Sequence, residues 1–554
     1  MRLRSILFLF PALALLAQSP QPAKRGLVVS QERLASEAGA QVLRDGGSAV
    51  DAAVATAFAL AVVHPAAGNL GGGGFLLSRS TSGKPSFIDF REAAPAAAHP
   101  RMWLKADGTY DEAKHHHSLA SVGVPGTVAG MREAWKREGR LPWARLLKPA
   151  IDLAREGFVL TDNQAASLAE QLPTFRKHAP TLAQFSRKGE PLRAGDRLVQ
   201  RNLARTLARL AKDWTDFYRG ITAHLITRDM KASGGLITAA DLRAYKPTLR
   251  EPLRGTYRGF ELLAAPPPSS GGQVLIEALN ILEGYDLKGA GAESPASIHL
   301  ASEALRRAFA DRAQFIGDPG FNPEIPMARL LSKSYATELR ATIRPDRAST
   351  SDPARFSWEP DRPHTTHLSV IDGKGHAVSL TYTLEESYGL KRIVPGAGFL
   401  LNDELGDFNA VPGLTDATDR IGTAPNLAQP GKRPLSNMCP VILVRDGAVV
   451  MVSGSPGGRT IPATVLNTVL NAVDFDMGAR AAVDAPRFHH QWLPDRLQVE
   501  ASLSAATRDA LKAMGHTLKE VPKQGCAQVI LVRNGQAEGA ADAKRWSDSG
   551  VAAE

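Results

Sequence analysis

The sequence has 554 residues, of which 44% are hydrophobic and 22% charged, values typical of a globular protein rather than a disordered or repetitive one. Its net charge is +10, but no lysine- and arginine-rich run with interleaved aromatic residues occurs, which argues against a nucleic-acid partner. The two cysteines, Cys439 and Cys526, are too few for a disulfide framework or a cysteine zinc cluster. We expect no metal site.

The N-terminus has the pattern of a secretory signal peptide. A basic start at residues 1–4 precedes an apolar stretch at residues 5–17, which is shorter than the roughly 20 residues that span a bilayer. We expect removal of residues 1–17 after Ala17 and a mature protein that is periplasmic or secreted. An uncleaved membrane anchor is the alternative.

Two helices are predicted early in the mature chain. Residues 31–44 have helical spacing, and Ser48 then caps a second helix at Ala49–Val63, with Asp51 placed to complete a capping box. The second helix is apolar almost all round, which is typical of a helix buried between layers. The glycine-rich segment 68–74 that follows fits neither the dinucleotide nor the phosphate-loop fingerprint. We expect no cofactor.

The middle of the chain is predicted to be mainly helical. Strands are expected at 75–77 and 87–90 and helices at 145–156, 202–212 and 277–283. The three histidines at 115–117 are interpreted as an exposed loop, because three adjacent residues do not converge on one metal.

After residue 364 the pattern changes to short strands with interspersed helices. Strands are predicted at 399–401, 441–444, 449–453 and 528–532, and helices at 460–473 and 505–514. Strand-rich sheets with helices on their outer faces predict a layered α/β sandwich. Because no repeat or linker is found, we expect one interleaved body.

Residues 364–383 predict a β-hairpin that brings two threonines together. Leu368 and Val370 alternate with polar residues, and turn-forming residues surround Lys374. Thr365 and Thr383 are equally far from Lys374, so they face each other across the two strands, within reach of their hydroxyl groups. Such pairs usually only stabilise a sheet, but the arrangement also suits a nucleophile beside a helper hydroxyl.

Three later segments add polar groups. Glu404 and Asp407 are carboxylates three residues apart, and segment 432–437 offers hydroxyl, amide and cationic donors. Gly457 and Gly458 offer consecutive backbone N–H groups just before a predicted helix, which suits an oxyanion hole. Taken singly, an acidic cluster is usually a solvated loop and a glycine pair is usually a turn.

Together, these motifs resemble the γ-glutamyltranspeptidase (glutathione hydrolase) family of N-terminal nucleophile hydrolases. The resemblance covers nearly the whole mature chain. Its motifs are Asp51-Ala52-Ala53, residues 69–74, Asp89-Phe90-Arg91-Glu92, residues 123–126, residues 267–272, Thr365-Thr366-His367, Asp407-Phe408, Arg433-Pro434-Leu435-Ser436, residues 454–458 and residues 485–491.

The resemblance implies a four-layer αββα sandwich and a precursor that cuts itself between His364 and Thr365. The products would be a large subunit, residues 18–364, and a small subunit, residues 365–554, which form a heterodimer. The freed amine of Thr365, with a reference pKa of about 7.7–8.0, would then serve as base for its own hydroxyl. Thr383 would hydrogen-bond the nucleophile, and the N–H groups of Gly457 and Gly458 would hold the oxyanion.

The resemblance also implies that the donors are glutathione and other γ-glutamyl compounds, and that water, amino acids or dipeptides are the acceptors. Arg91 and Ser436 would bind the donor's α-carboxylate, and Glu404 and Asp407 its α-ammonium. Two positions depart from many members of the family, and both are included among the candidate substrate-binding residues. These are Asn437, where a second serine is common, and Glu385, where asparagine is common.

Three other functions compete with this interpretation. A cephalosporin or glutaryl acylase would use the same Thr365 with a different acyl pocket. A serine hydrolase built on Ser455 lacks the first glycine of its usual motif and has Pro456 where an oxyanion N–H is needed. A periplasmic binding protein without catalysis would need no chain cleavage.

Overall fold

The computed structural model describes residues 21–23, 26–352, 365–413 and 422–554, with the backbone alone for the first of these ranges. The expected signal peptide and His364 lie outside the described residues. Among the helices of the described ranges, none combines the length and the apolar composition that crossing a bilayer requires.

The strands are numbered in chain order. They are β1 (Gln21–Ala23), β2 (Leu27–Ser30), β3 (Gly73–Arg79), β4 (Pro85–Asp89), β5 (Phe158–Val159), β6 (Ser186–Arg187), β7 (Glu190–Pro191), β8 (Arg197–Leu198), β9 (Thr248–Arg250), β10 (Leu253–Tyr257), β11 (Phe260–Ala264), β12 (Thr365–Ile371), β13 (Ala377–Thr383), β14 (Val441–Arg445), β15 (Ala448–Gly454), β16 (Phe488–His489), β17 (Leu497–Glu500), β18 (Leu518–Val521), β19 (Gln528–Arg533), β20 (Gln536–Ala541) and β21 (Gly550–Ala553).

The α-helices are numbered in the same way. They are α1 (Arg33–Arg44), α2 (Ala49–Val63), α3 (Glu112–His116), α4 (Thr127–Glu138), α5 (Trp143–Glu156), α6 (Asp162–Phe175), α7 (Ala179–Phe185), α8 (Arg201–Lys212), α9 (Asp216–Arg219), α10 (Ile221–Ser233), α11 (Ala239–Ala244), α12 (Gly271–Leu282), α13 (Leu287–Ala290), α14 (Pro295–Phe315), α15 (Met327–Leu330), α16 (Lys333–Arg340), α17 (Thr460–Val473), α18 (Ala479–Asp484) and α19 (Ala505–Ala513). Short 3₁₀ helices cover Leu119–Ser121, Glu404–Asp407 and Ala424–Asn426.

Two seven-stranded sheets form the centre of this mixed α/β fold. The first has the strand order β1-β20-β19-β15-β14-β11-β10, and the second has the order β21-β2-β12-β13-β3-β4-β9. Neighbouring strands within both sheets are antiparallel. The hairpin β12–β13 lies in the middle of the second sheet, so both of its strands are paired on both sides.

Polar side chains of the hairpin connect the two sheets. The Ser369 hydroxyl donates to the carbonyl of Gln528 (2.9 Å), and the Ser379 hydroxyl donates to the carbonyl of Ser453 (3.0 Å). The alternation predicted for β12 is therefore real, but its polar face lies against the other sheet instead of facing solvent. A buried hydroxyl needs a hydrogen-bond partner, and here the backbone of the neighbouring sheet supplies it.

The opposite face of the hairpin packs against helices. Leu368 and Val370 share one hydrophobic cluster with α1, α2, α4 and α5. A second cluster joins the first sheet to α12, α14 and α17. Helix α2 is buried along its whole length, and Ser48 and Asp51 form the predicted capping box at its start.

Two local predictions were wrong. Residues 399–401 form only isolated bridges, which pair Leu400 with Ile393 and Leu401 with Gly71. Each of these two residues pairs with a different segment, so neither bridge extends into a ladder. The histidine tract belongs largely to α3, where His115 is buried. Its ring packs against Trp103, with 4.5 Å between the ring centroids, and this burial holds the pKa of His115 well below the usual range.

Candidate active site

The two threonines of the hairpin face each other as predicted. Thr365 pairs with Thr383 in the register of β12 and β13, and the Thr365 hydroxyl donates to the Thr383 hydroxyl at 3.4 Å. The Thr383 hydroxyl also accepts the backbone N–H of Glu385 (2.9 Å). Both threonines are buried, with exposures of 7% and 2%, so the hairpin fixes the position of the Thr365 hydroxyl before any ligand binds.

Thr365 opens onto a cavity of about 480 Å³ that Gly457 also lines. Cavities that bind small molecules usually measure about 300–1,000 Å³. The structure therefore brings two of the predicted catalytic residues to one space of suitable size. Gly458 follows Gly457 directly and is partly exposed.

The loop before α17 presents the expected backbone donors. Gly457 and Gly458 have φ angles of +136° and +54°, which glycine adopts without strain. Within the described ranges, no group accepts a hydrogen bond from the N–H of either residue. These N–H groups can therefore donate hydrogen bonds to an anion in the cavity, and the first turn of α17 follows them directly.

Ser455 does not have the surroundings of a serine nucleophile. Its hydroxyl donates to the carbonyl of Pro456 (2.6 Å) and accepts the N–H of Cys526 (2.9 Å). His367 lies nearby, against Gly454, but its ring is hydrogen-bonded to Thr381 and Ser369. Burial also lowers the pKa of His367 to about 3. Ser455 instead connects the loop before α17 to the segment that contains Cys526.

Neither cysteine is a candidate nucleophile. Cys439 and Cys526 are both free and buried, and Cys526 lines the cavity. Burial raises the pKa of the Cys526 thiol to about 12. Since only the thiolate is a good nucleophile, this thiol is inert at neutral pH.

Arg91, Glu404 and Asp407 form one charged cluster. The guanidinium of Arg91 donates to both carboxylates and to the backbone carbonyl of Leu435 (2.9 Å). Arg91 and Glu404 are almost fully buried, whereas the Asp407 side chain is 20% exposed. Asp407 is therefore the member of the cluster that a ligand reaches first.

Ser436 and Asn437 follow Pro434 and Leu435, whose backbone carbonyls accept hydrogen bonds from Arg91. Ser436 pairs with Ser269 in an isolated bridge, and its hydroxyl accepts the N–H of Met438 (3.1 Å). Both Ser436 and Asn437 are buried. The two residues therefore follow Leu435, whose carbonyl binds Arg91, by one and two positions.

Glu385 belongs to a neighbouring acidic cluster. Its carboxylate lies with those of Glu386 and Asp403, within 4.8 Å of one another, and Lys391 pairs with Glu386. Burial raises the pKa of Asp403 to about 8. Glu385 has a φ of +78°, so its backbone conformation is one that non-glycine residues rarely adopt.

The sequence interpretation assigned no role to three residues that support the site. Asn69 donates to the carbonyl of Thr383 (2.9 Å), and Asn402 accepts the N–H of Glu404 (3.1 Å). Glu92 lies beside Arg91, 3.7 Å from its guanidinium, and is fully buried. Asn69 and Glu92 lie within motifs quoted above. The contact of Asn69 with Thr383 joins positions 314 residues apart, so it leaves no local pattern in the sequence.

Glu92 is expected to make stability depend on pH. Burial raises its pKa from about 4.5 to about 7, although Arg91 opposes the change. The folded state therefore keeps a proton that the unfolded state releases, so the free energy of unfolding falls as pH rises between about 4.5 and 7. At about 1.4 kcal/mol per pKa unit, this loss is at most about 3–4 kcal/mol.

Urea unfolding at pH 5 and pH 8 measures this effect. The glutamine in Glu92→Gln cannot ionise. Between pH 5 and pH 8, we therefore expect the free energy of unfolding of this variant to fall by about 1–3 kcal/mol less than that of the wild type. The exposed Glu324 provides the matched control, since Glu324→Gln should behave as the wild type does. If the free energy of unfolding depends on pH equally in the wild type and in Glu92→Gln, the role assigned to Glu92 is wrong.

Comparison with known proteins finds relatives that match most of the chain. The family model described as gamma-glutamyltranspeptidase matches residues 35–552. A glutathione hydrolase proenzyme of Pseudomonas sp. (strain A14) is 44% identical over 90% of this chain and 87% of its own length. The glutathione hydrolase proenzyme of Escherichia coli (strain K12) is 42% identical over 96% of this chain and 92% of its own.

A solved structure shows the same fold over the full length. The crystal structure of cephalosporin acylase from Bacillus halodurans has a TM-score of 0.85 and 28% identity, and the match covers 100% of this chain and 99% of that one. The family model spans almost the whole chain, and both relatives exceed 40% identity. The chain belongs to the γ-glutamyltranspeptidase family.

Proposed function

We propose that this protein cleaves the γ-glutamyl amide bond of glutathione and related compounds and transfers the γ-glutamyl group to water, amino acids or dipeptides. The observation that carries the proposal is that Thr365, which pairs with Thr383, lines one cavity together with Gly457. This arrangement supplies a nucleophile, a hydrogen-bond partner for the nucleophile, and a backbone N–H that can donate a hydrogen bond to the oxyanion. The 44% identity to a glutathione hydrolase proenzyme supports the choice of substrate.

The proposal includes maturation by self-cleavage between His364 and Thr365. After loss of residues 1–17, the products are a large subunit (18–364) and a small subunit (365–554). The strand β2 of the first product pairs with β12 of the second, so we expect the two subunits to stay together as a heterodimer. We further propose the four-layer αββα arrangement of N-terminal nucleophile hydrolases and a periplasmic or secreted location.

The chemistry then follows from the freed α-amino group of Thr365. The amine takes the proton of the Thr365 hydroxyl while Oγ1 attacks the γ-carbonyl carbon, and the carbonyl oxygen becomes an anion held by Gly457 and Gly458. When this intermediate collapses, the C–N bond breaks and the leaving amine takes the proton. Water or an acceptor amine attacks the resulting ester by the same steps in reverse.

Donor recognition uses the charged cluster. A γ-glutamyl group carries an ammonium and a carboxylate on one carbon, so it requires an anion and a cation at fixed spacing. We assign the carboxylate to Arg91, Ser436 and Asn437. The ammonium goes to Asp407 and Glu404, with Glu385 adding negative charge nearby.

An acylase for cephalosporins or glutaryl amides is the second candidate, and the structural match to a cephalosporin acylase favours it. A comparison of donors separates the two. We expect kcat/KM for glutathione to exceed that for a glutaryl amide by at least about thirtyfold, because the glutaryl group has no ammonium for the cluster to bind. A preference for the glutaryl amide would establish the acylase instead.

A further inference from the structure

The cavity beside Thr365 extends well beyond the catalytic residues. Gln31, Glu170, Lys523 and Trp546 also line it. Arg91, Glu404, Asp407 and Ser436 do not line it. A γ-glutamyl donor has an acyl part on one side of its scissile bond and a leaving group on the other. We assigned the acyl part to the charged cluster. The cavity is therefore the space for the other end, which departs as the leaving group.

Lys523 is a cationic residue in the lining of this cavity. Its side chain is exposed, and within the described ranges no carboxylate lies within 4.0 Å of its Nζ. Nζ donates to the carbonyl of Arg545 (3.0 Å) and lies 5.9 Å from the ring centroid of Trp546. Arg545, which also lines the cavity, is paired with Glu500 and Asp542.

The segment that carries Lys523 is held in place relative to the oxyanion donors. Gln524 donates its N–H to Glu500 (2.7 Å), and its carbonyl accepts from Arg487 (2.8 Å). The N–H of Cys526 donates to the Ser455 hydroxyl (2.9 Å), two residues before Gly457. These contacts fix the backbone that carries Lys523 relative to the loop of Ser455 and Gly457.

We propose that Lys523 binds the terminal carboxylate of the leaving group and so selects donors whose leaving part is an amino acid or a short peptide. The inference rests on the proposed γ-glutamyl function. Transfer to an acceptor reverses the acylation step, so an acceptor occupies the space that the leaving group has vacated. Lys523 therefore also selects acceptors that carry a carboxylate.

Glutathione and its C-terminal amide provide the test, because they differ only in the carboxylate that Lys523 would bind. We expect Lys523→Gln to lower the ratio of kcat/KM for glutathione to that for the amide about fivefold, mainly through KM. This equals ~1 kcal/mol at about 1.4 kcal/mol per decade, the upper range for a solvent-exposed ion pair. Lys523→Arg keeps the charge and should keep the ratio near the wild-type value.

Lys519 supplies the matched control. It is an exposed lysine on β18 that does not line the cavity, so Lys519→Gln should leave the ratio unchanged. An unchanged ratio in Lys523→Gln, or an equal fall in Lys519→Gln, overturns the inference while leaving the γ-glutamyl function intact. If the wild type turns over neither donor, the proposed function fails, and the inference fails with it.

Discussion

Thr365→Ala is expected to remain a single chain and to lose turnover by more than about a thousandfold. The substitution removes the atom that attacks both the peptide bond before it and the γ-glutamyl amide, and loss of a nucleophile abolishes most catalysis. Denaturing gels and an assay with γ-glutamyl-p-nitroanilide measure the two effects. Thr365→Ser keeps a hydroxyl at the same position and should still give two chains.

The partner threonine is expected to have a smaller effect. Thr383→Ala removes the hydroxyl that lies 3.4 Å from that of Thr365. A neutral hydrogen bond contributes about 0.5–1.5 kcal/mol, so both maturation and turnover should slow by about twofold to tenfold. If Thr365→Ala is cut and active, Thr365 is not the nucleophile, whatever the behaviour of Thr383→Ala.

Asp407→Asn is expected to reduce use of a γ-glutamyl donor by roughly thirtyfold to several-thousandfold. The estimate follows from about 2–5 kcal/mol for loss of one partner of a desolvated charge pair, at about 1.4 kcal/mol per decade. Asp407 is the exposed member of the Arg91 cluster, so we assign it the closest contact with the α-ammonium. A glutaryl donor has no ammonium and should be affected far less.

The controls for this experiment follow from the charges around Asp407. Asp446→Asn changes an exposed aspartate of a turn and should leave kcat/KM unchanged. Glu385 lies in the neighbouring acidic cluster, so Asp407→Asn should also be measured with Glu385→Gln. If both Asp407 variants keep near-normal kcat/KM for the γ-glutamyl donor, the substrate assignment fails even with Thr365 as the nucleophile.

Arg91 is a less suitable target for the same question. Its guanidinium neutralises Glu404 and Asp407 and lies 3.7 Å from Glu92. Arg91→Ala would leave these carboxylates without a cation, and an uncompensated buried charge costs several kcal/mol of stability. Loss of activity in that variant would therefore combine an effect on substrate binding with an effect on folding.

Local patterns predicted the elements that carry the candidate catalytic residues. The register that pairs Thr365 with Thr383 follows from strand alternation and one turn, and both are properties of a short segment. Helices α2 and α17 have the predicted bounds, because their apolar faces and end signals lie within the helices themselves. The family resemblance supplied the candidate roles of the remaining residues.

Long-range contacts could not be predicted in this way. Arg91 and Glu404 are separated by 313 positions, and nothing in either segment shows that the two side chains touch. The histidine tract was expected to be an exposed loop, but His115 packs against Trp103. Because Trp103 lies outside the tract, the tract itself carries no signal of this burial. Helix α12 begins at Gly271, six residues before the predicted start at 277, since tertiary packing tolerates two glycines in its first turn.

The intact masses of the purified wild-type chains show whether the protein cuts itself before Thr365. We expect two fragments from one precursor, with the smaller one beginning at Thr365 and ending at Glu554. After incubation with a γ-glutamyl donor, a fraction of that fragment should also carry one γ-glutamyl group. Active protein that consists of a single uncut chain would rule out the mechanism in which the freed amine of Thr365 is the base.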